Sequence, residues 1–254
     1  MNKKNIITGA LILTSANFIT RILGFVYRIY MSNLIGAEGM GLYQLIFPIY
    51  LLAWTISSSG ISLGVSKYVA QENAKKEYGN SARILKASVI LSAGTGLMIS
   101  FFIFFFASFL ANSVIKEART YLSLKILAFC IPFMSAASAI KGYFYGLQEM
   151  FKPAAAQVIE QISRMAVIAL LASLFIHKGL SYACALAVLG ICAGEIISFI
   201  YIFFAYRYDK NRKRHVKKAS ISMLKAYYLL LSMAIPLTVS KFITSFLSSI
   251  ENIM

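Results

Sequence analysis

Seven stretches of this chain are each apolar over about 20 residues or more, a length that ordinary elements of a water-soluble domain rarely reach. They run over about 6–32, 41–66, 84–112, 120–140, 154–177, 181–206 and 226–249. At roughly 1.5 Å of rise per residue, such a run is long enough as a helix to cross the ~30 Å hydrocarbon layer of a bilayer. In hydrocarbon every backbone N–H and C=O must find its partner within the protein, which a helix does segment by segment. The composition agrees: 59% of the 254 residues are hydrophobic and 13% charged, whereas a soluble domain carries about 25% charged residues. The expected fold class is therefore all-α, a polytopic bundle of transmembrane helices.

The net charge of +16, from 25 Lys plus Arg against 9 Asp plus Glu, would suggest a nucleic-acid partner in a soluble protein. Here the basic residues collect on one side of the spans. With the N-terminus in the cytoplasm, 17 of them fall in cytoplasmic segments: Lys3 and Lys4, the group from Lys67 to Lys86, Lys141 and Lys152, and the eight from Arg207 to Lys225. Only Lys116, Arg119 and Lys178 fall outside, and Arg21, Arg28, Lys125, Arg164 and Lys241 lie within spans. That bias sets the expected orientation, and the expected partner of the basic loops is anionic membrane lipid, not nucleic acid. The first run is too long for a cleaved signal and contains Arg21 and Arg28, so it is expected to be retained.

The densest charge is RYDKNRKRHVKK, Arg207 to Lys218, which cannot enter hydrocarbon. It is expected to divide the chain into a six-helix lobe over 1–206, a basic cytoplasmic linker over 207–225, and 226–254 as the first helix of a second lobe, with the remainder of that lobe expected to be missing.

Catalytic chemistry finds no support. His177 and His215 stand apart from any nucleophile or ligand pattern, and neither a metal nor another cofactor is expected. Cys130, Cys184 and Cys192 all lie in apolar runs without a CxxC pattern, as small packing residues would. GYFYG, Gly142 to Gly146, lacks a phosphate-loop lysine and reads as a short cytoplasmic turn.

Polar groups at membrane depth are expensive, about 3 kcal/mol for a charged residue at a helix centre, and so mark the informative positions. Thr14, Asn17, Arg21, Gly24 and Arg28 recur every three or four residues and share one stripe of the first helix. Arg21 and Arg28 would stand roughly 10 Å apart on that stripe. Arg28 can either snorkel to outer headgroups or face an aqueous cavity. Arg21, roughly 20 Å from the cytoplasmic end, points to the cavity, where a guanidinium suits a phosphate. In the fifth span, Gln157, Glu160, Gln161 and Arg164 line one face, with Glu160 and Arg164 spaced for an internal ion pair.

Glu195 follows GICAG, Gly190 to Gly194, whose small-xxx-small spacing allows close helix approach. It can be protonated, paired with an arginine, or used in proton or cation coupling. Lys125 and Lys241 pose the same choice. SSSGISLG, Ser57 to Gly64, after Pro48, serves either as a hinge that lines a cavity or as a site of close packing.

Three stretches, TRILGFVYRIYMSNLIGAEGMGLYQLIFPIY (Thr20 to Tyr50), SSSGISLGVSKYVA (Ser57 to Ala70) and KGYFYGLQEMFKPAAAQVIEQISR (Lys141 to Arg164), resemble the stage V sporulation protein B branch of the polysaccharide flippases. That branch is related to the lipid II flippases and, more distantly, to the multidrug and toxin extruders. The resemblance implies a bacterial cytoplasmic-membrane transporter of two lobes around a central cavity. Its substrate would be undecaprenyl-pyrophosphate-linked saccharide such as lipid II, moved between leaflets by alternating access. It also implies that Arg21 holds the pyrophosphate, with Asn17 beside it; Arg28 sits one residue from where a second such arginine aligns. The alternative reading is a cation-coupled multidrug exporter using Glu195, and a third is a membrane-embedded enzyme or scaffold.

Overall fold

A computed structural model describes residues 3–209 and 219–251, and every regular element among them is helical. Residues 210–218 of the expected basic linker, 207–225, lie outside the described residues. The helices are α1 (Lys3–Trp54), α2 (Gly60–Ala74), α3 (Tyr78–Phe105), the single turn α4 (Ala107–Phe109), α5 (Tyr121–Gly146), α6 (Phe151–Ile176), α7 (Leu180–Arg207) and α8 (Met223–Glu251). Six helical stretches among the described residues are long and apolar enough to cross a membrane, and the chain is a multi-pass membrane protein.

The first of these stretches, Ile7–Ala74, runs through the first two expected spans, so the seven expected apolar runs account for these six stretches. Those two spans are arms joined at Gly36, whose φ of 71° and ψ of 179° break the helix. That left-handed φ favours glycine, which has no Cβ to clash. A π-helical turn, Thr55–Ser59, then passes the chain into α2. There the hydroxyls of Ser57 and Ser59 donate to the carbonyls of Ala53 and Thr55. A Cβ on Gly60 would lie 2.5 Å from the carbonyl of Ala234 in α8. SSSGISLG is thus a seam of close packing, buried at Ser57, Ser58 and Ser59.

The reading of GYFYG as a turn is corrected: Gly142 to Gly146 form the last turns of α5. Their glycines let α5 meet α2 backbone to backbone, since Cβ atoms there would stand 2.6 Å from the Ser62 carbonyl and 2.7 Å from that of Ser66. Membrane helices associate through such small residues because lipid supplies no hydrophobic drive between them.

α5 and α7 form the centre of the bundle, each with 67% of its best spanning window buried. The three cysteines, all free, fill this core beside Leu124, Leu127 and Ile131. Pro153 sits in the first turn of α6, where its missing N–H costs nothing.

The connections sort onto two ends. At one end Gly9 approaches Met150, Lys152 pairs with Asp209 at 3.1 Å, and Asn80 holds the backbone N–H of Ser220 at 2.8 Å. At the other, Arg119 pairs with Glu38 and Glu117. The segments assigned to the cytoplasm by charge therefore share an end.

Candidate functional site

The break at Gly36 folds the second arm of α1 back beside the first, and α6 packs against them. Between these three walls lies a cavity of about 510 Å³, bordered by Tyr27 and Arg28 of the first arm, Gln44 and Phe47 of the second, and Gln161 and Arg164 of α6. Apolar walls with a few convergent polar groups are what a ligand site requires.

The α1 stripe meets α6 along a ladder of amides. Gln157 Nε2 donates to Asn17 Oδ1 at 3.1 Å and to Thr20 Oγ1 at 3.3 Å. One turn on, Gln161 faces Gly24, and beyond it Arg28 and Arg164 border the cavity from opposite walls. Asn17 is thereby engaged by α6 while remaining exposed. Arg21 is exposed, lies on the same stripe, and is not among the residues bordering the cavity. Neither Arg21 nor Arg28 forms an ion pair among the described residues.

Behind the cavity the charges are tied up. Glu160 accepts from Arg164 Nη2 at 3.2 Å and from Lys141 Nζ at 3.4 Å. Two cations on one carboxylate satisfy the rule that charge at membrane depth needs partners. Glu195, 5% exposed, accepts from the Tyr50 phenol at 2.8 Å, where an arginine was one of the expected partners. Arg164 is already held by Glu160, one turn earlier on α6. Gly194 sets that neighbourhood, because a Cβ there would stand 2.7 Å from the Glu160 carbonyl.

Two donors have no partner among the described residues, the hydroxyl of Tyr27 and Nε of Arg164; both atoms are buried, although both residues border the cavity. An orphaned buried donor costs about 1–3 kcal/mol.

The structure thus gathers Asn17, Arg28, Glu160, Arg164 and Glu195 along α1, α6 and α7. It does not include Lys125, whose ammonium lies over the rings of Tyr121 and Phe104 at 4.6 and 5.1 Å. A cation–π site of this kind replaces the ion pair considered for that residue. Lys241 likewise lies over Trp54 at 5.6 Å. Lys141, assigned to a loop from charge alone, is a helical residue of the Glu160 network because α5 extends further than its apolar run. Tyr27, Tyr50 and Gln44 carried no sequence signal, since tyrosine and glutamine are unremarked in an amphipathic pattern.

Comparisons with known proteins agree with this architecture. A MATE transporter crystallised with MaD3S superposes with a TM-score of 0.76 at 16% identity, over 96% of this chain and 55% of that one. A MOP superfamily transporter from Pyrococcus furiosus superposes with a TM-score of 0.73 at 17% identity, over 94% and 53%. Identities this low speak to the fold alone. Stage V sporulation protein B of Bacillus subtilis (strain 168) is 33% identical over 245 residues, 96% of this chain and 47% of that protein. The lipid II flippase MurJ of the same organism is 33% identical over 214 residues, 77% and 39% respectively. The chain spans about half the length, or less, of these curated relatives. The family model for polysaccharide biosynthesis proteins matches residues 6–254, and the chain belongs to that family.

Proposed function

We propose that this chain forms one lobe of a flippase that carries undecaprenyl-pyrophosphate-linked saccharide, such as lipid II, across the cytoplasmic membrane for cell-wall, polysaccharide or spore-cortex synthesis. The observation that carries the reading is the α1 stripe. It bears two guanidiniums without a carboxylate partner, Arg21 and Arg28, one of them at the rim of a cavity. An unpaired guanidinium at membrane depth is costly unless it meets water or an anion, and its planar fork matches a phosphoryl group. The relative named a lipid II flippase favours the same substrate class, and the one named a sporulation protein fits a role in spore-cortex synthesis. In this reading the N-terminus is cytoplasmic, α8 opens a second lobe that completes the cavity wall, and residues 207–225 link the two against anionic lipid.

In cells depleted of their lipid II flippase, the gene in its native context should restore growth. Arg21→Ala should abolish that rescue without lowering the amount of protein in the membrane. Full rescue by the variant would overturn the assignment of Arg21.

A cation-coupled multidrug exporter is the second reading, favoured by the buried Glu195–Tyr50 pair beside the Glu160 network. It predicts that overexpression raises drug resistance in a manner lost in Glu195→Gln. The flippase reading predicts unchanged susceptibility across the panel.

A further inference from the structure

We infer that Asn80 is the latch of a gate: it clasps the residues that lead into α8, and its release lets α8 part from α2 and opens the transport path at the end assigned to the cytoplasm by charge. The inference rests on the flippase reading for the place of α8 in a second, moving lobe, and on its own geometry for the latch. Asn80 lies in the first turn of α3 and is 2% exposed. Its Oδ1 accepts from the backbone N–H groups of Ser220 and Ile221 at 2.8 and 3.2 Å. Its Nδ2 donates to Glu72 Oε2, in the last turn of α2, at 2.7 Å and to the Ser220 hydroxyl at 3.0 Å. Arg83, one turn further along α3, donates to the Ile221 carbonyl. The chain is thus gripped by its backbone just before Ser222, whose hydroxyl accepts from the N–H of Lys225 and caps α8.

Beyond the latch, α8 runs along α2 as an apolar seam. Ala226 and Leu230 are fully buried against it, Gly64 faces Leu230, and Gly60 meets the Ala234 backbone. Such a seam gains little from closing in a bilayer, because the surfaces that part meet hydrocarbon again. The hydrogen bonds at its end therefore decide whether it stays shut. Each is worth about 1 kcal/mol net where water can take its place, and Ser220 is exposed, so water can. A few such bonds make a closed state that is favoured and still reversible. Glu72 is the positioning residue. A carboxylate only accepts, so by taking Nδ2 it turns Oδ1 of Asn80 toward the two N–H groups.

The test uses membrane vesicles from cells that express the gene in its native context, with Gly64→Cys as a reporter of the seam. A Cβ at Gly64 meets only ordinary contacts at 3.7–3.9 Å, and the three native cysteines are buried. Asn80→Asp keeps the acceptor for the two N–H groups and sets a second carboxylate against Glu72. Alkylation of the reporter by a polar maleimide should become about tenfold faster, the effect of losing one hydrogen bond to a charged group. Adding Glu72→Gln gives that carboxylate a donor and should return the rate to its starting value, a recovery that a merely misfolded variant would not show. Equal alkylation rates in all three backgrounds would overturn the latch. So would a faster rate that Glu72→Gln leaves unchanged while thermal unfolding stays lowered, since Asn80 would then be scaffold. The predicted rates, in a protein that never rescues flippase-depleted cells, would uphold the latch and sink the flippase reading.

Discussion

α5 and α6 are equally apolar over their best spanning windows, yet 67% of the α5 window is buried in the bundle against 11% of that of α6. Hydropathy places both helices in the membrane, and it is the residues of each face that separate them. The inner face of α5 sets small residues, Ser135, Ala136, Ala139, Gly142 and Gly146, among large buried ones such as Leu124, Tyr143 and Phe144, so neighbouring backbones close onto the small positions and the large ones fill the space between. α6 puts Gln157, Gln161 and Arg164 toward α1 and the cavity, pairs Glu160 with Lys141 of α5, and leaves Ile162, Leu170 and Leu174 exposed. The central helix is thus held by shape, and the helix at its flank by polar pairing along a ligand-sized space. A membrane helix that is only partly covered can carry costly polar groups because it has somewhere wet to point them.

That contrast can be broken by exchanging the forces. Glu160→Leu removes the carboxylate shared by Arg164 and Lys141, and stranding two inward cations should cost about 3 kcal/mol. Thermal unfolding of the detergent-solubilised chain would register it, and a shift near zero would mean the polar face of α6 does not hold the helix. Gly142→Val tests the other side, because its branched Cβ would meet the Ser62 carbonyl that now stands 2.6 Å from an ideal Cβ position. About 2 kcal/mol should be lost to overpacking, accompanied by cysteine cross-links between α2 and α5 becoming slower. The smallest effect is expected at Arg21. It is exposed and unpaired among the described residues, so Arg21→Ala should change stability by less than about 0.5 kcal/mol even as it abolishes rescue in cells. A large destabilisation there would move Arg21 from the ligand to the scaffold.

Much of the fold was legible because its cause is local. Apolar runs of spanning length placed α3, α6, α7 and α8 within a few residues of where they lie, apart from the first end of α3 and the turns after it. One boundary was misread. The end that charge and glycine suggested, at Lys141 and Gly142 to Gly146, belongs to the last turns of α5, since a glycine that packs on another backbone looks in sequence like one that turns. The site was half legible. Spacing put Asn17, Arg21 and Arg28 on one stripe and Glu160 within reach of Arg164. It could not reveal that Glu195 meets Tyr50, 145 positions away in the chain, or that Lys125 rests over aromatic rings.

The amino-acid order by itself determined the solvent of this chain, the number of apolar segments, the end they share by charge and the faces on which their polar residues line up, because each follows from length, period and transfer cost along one segment. Only the tertiary structure decided which donors are paired and which are left over. That choice depends on how Gly36 folds two arms of one helix against α6, and on how closely Gly194 lets α7 approach Glu160. Those contacts join residues far apart in the chain, and no period within a single helix encodes them.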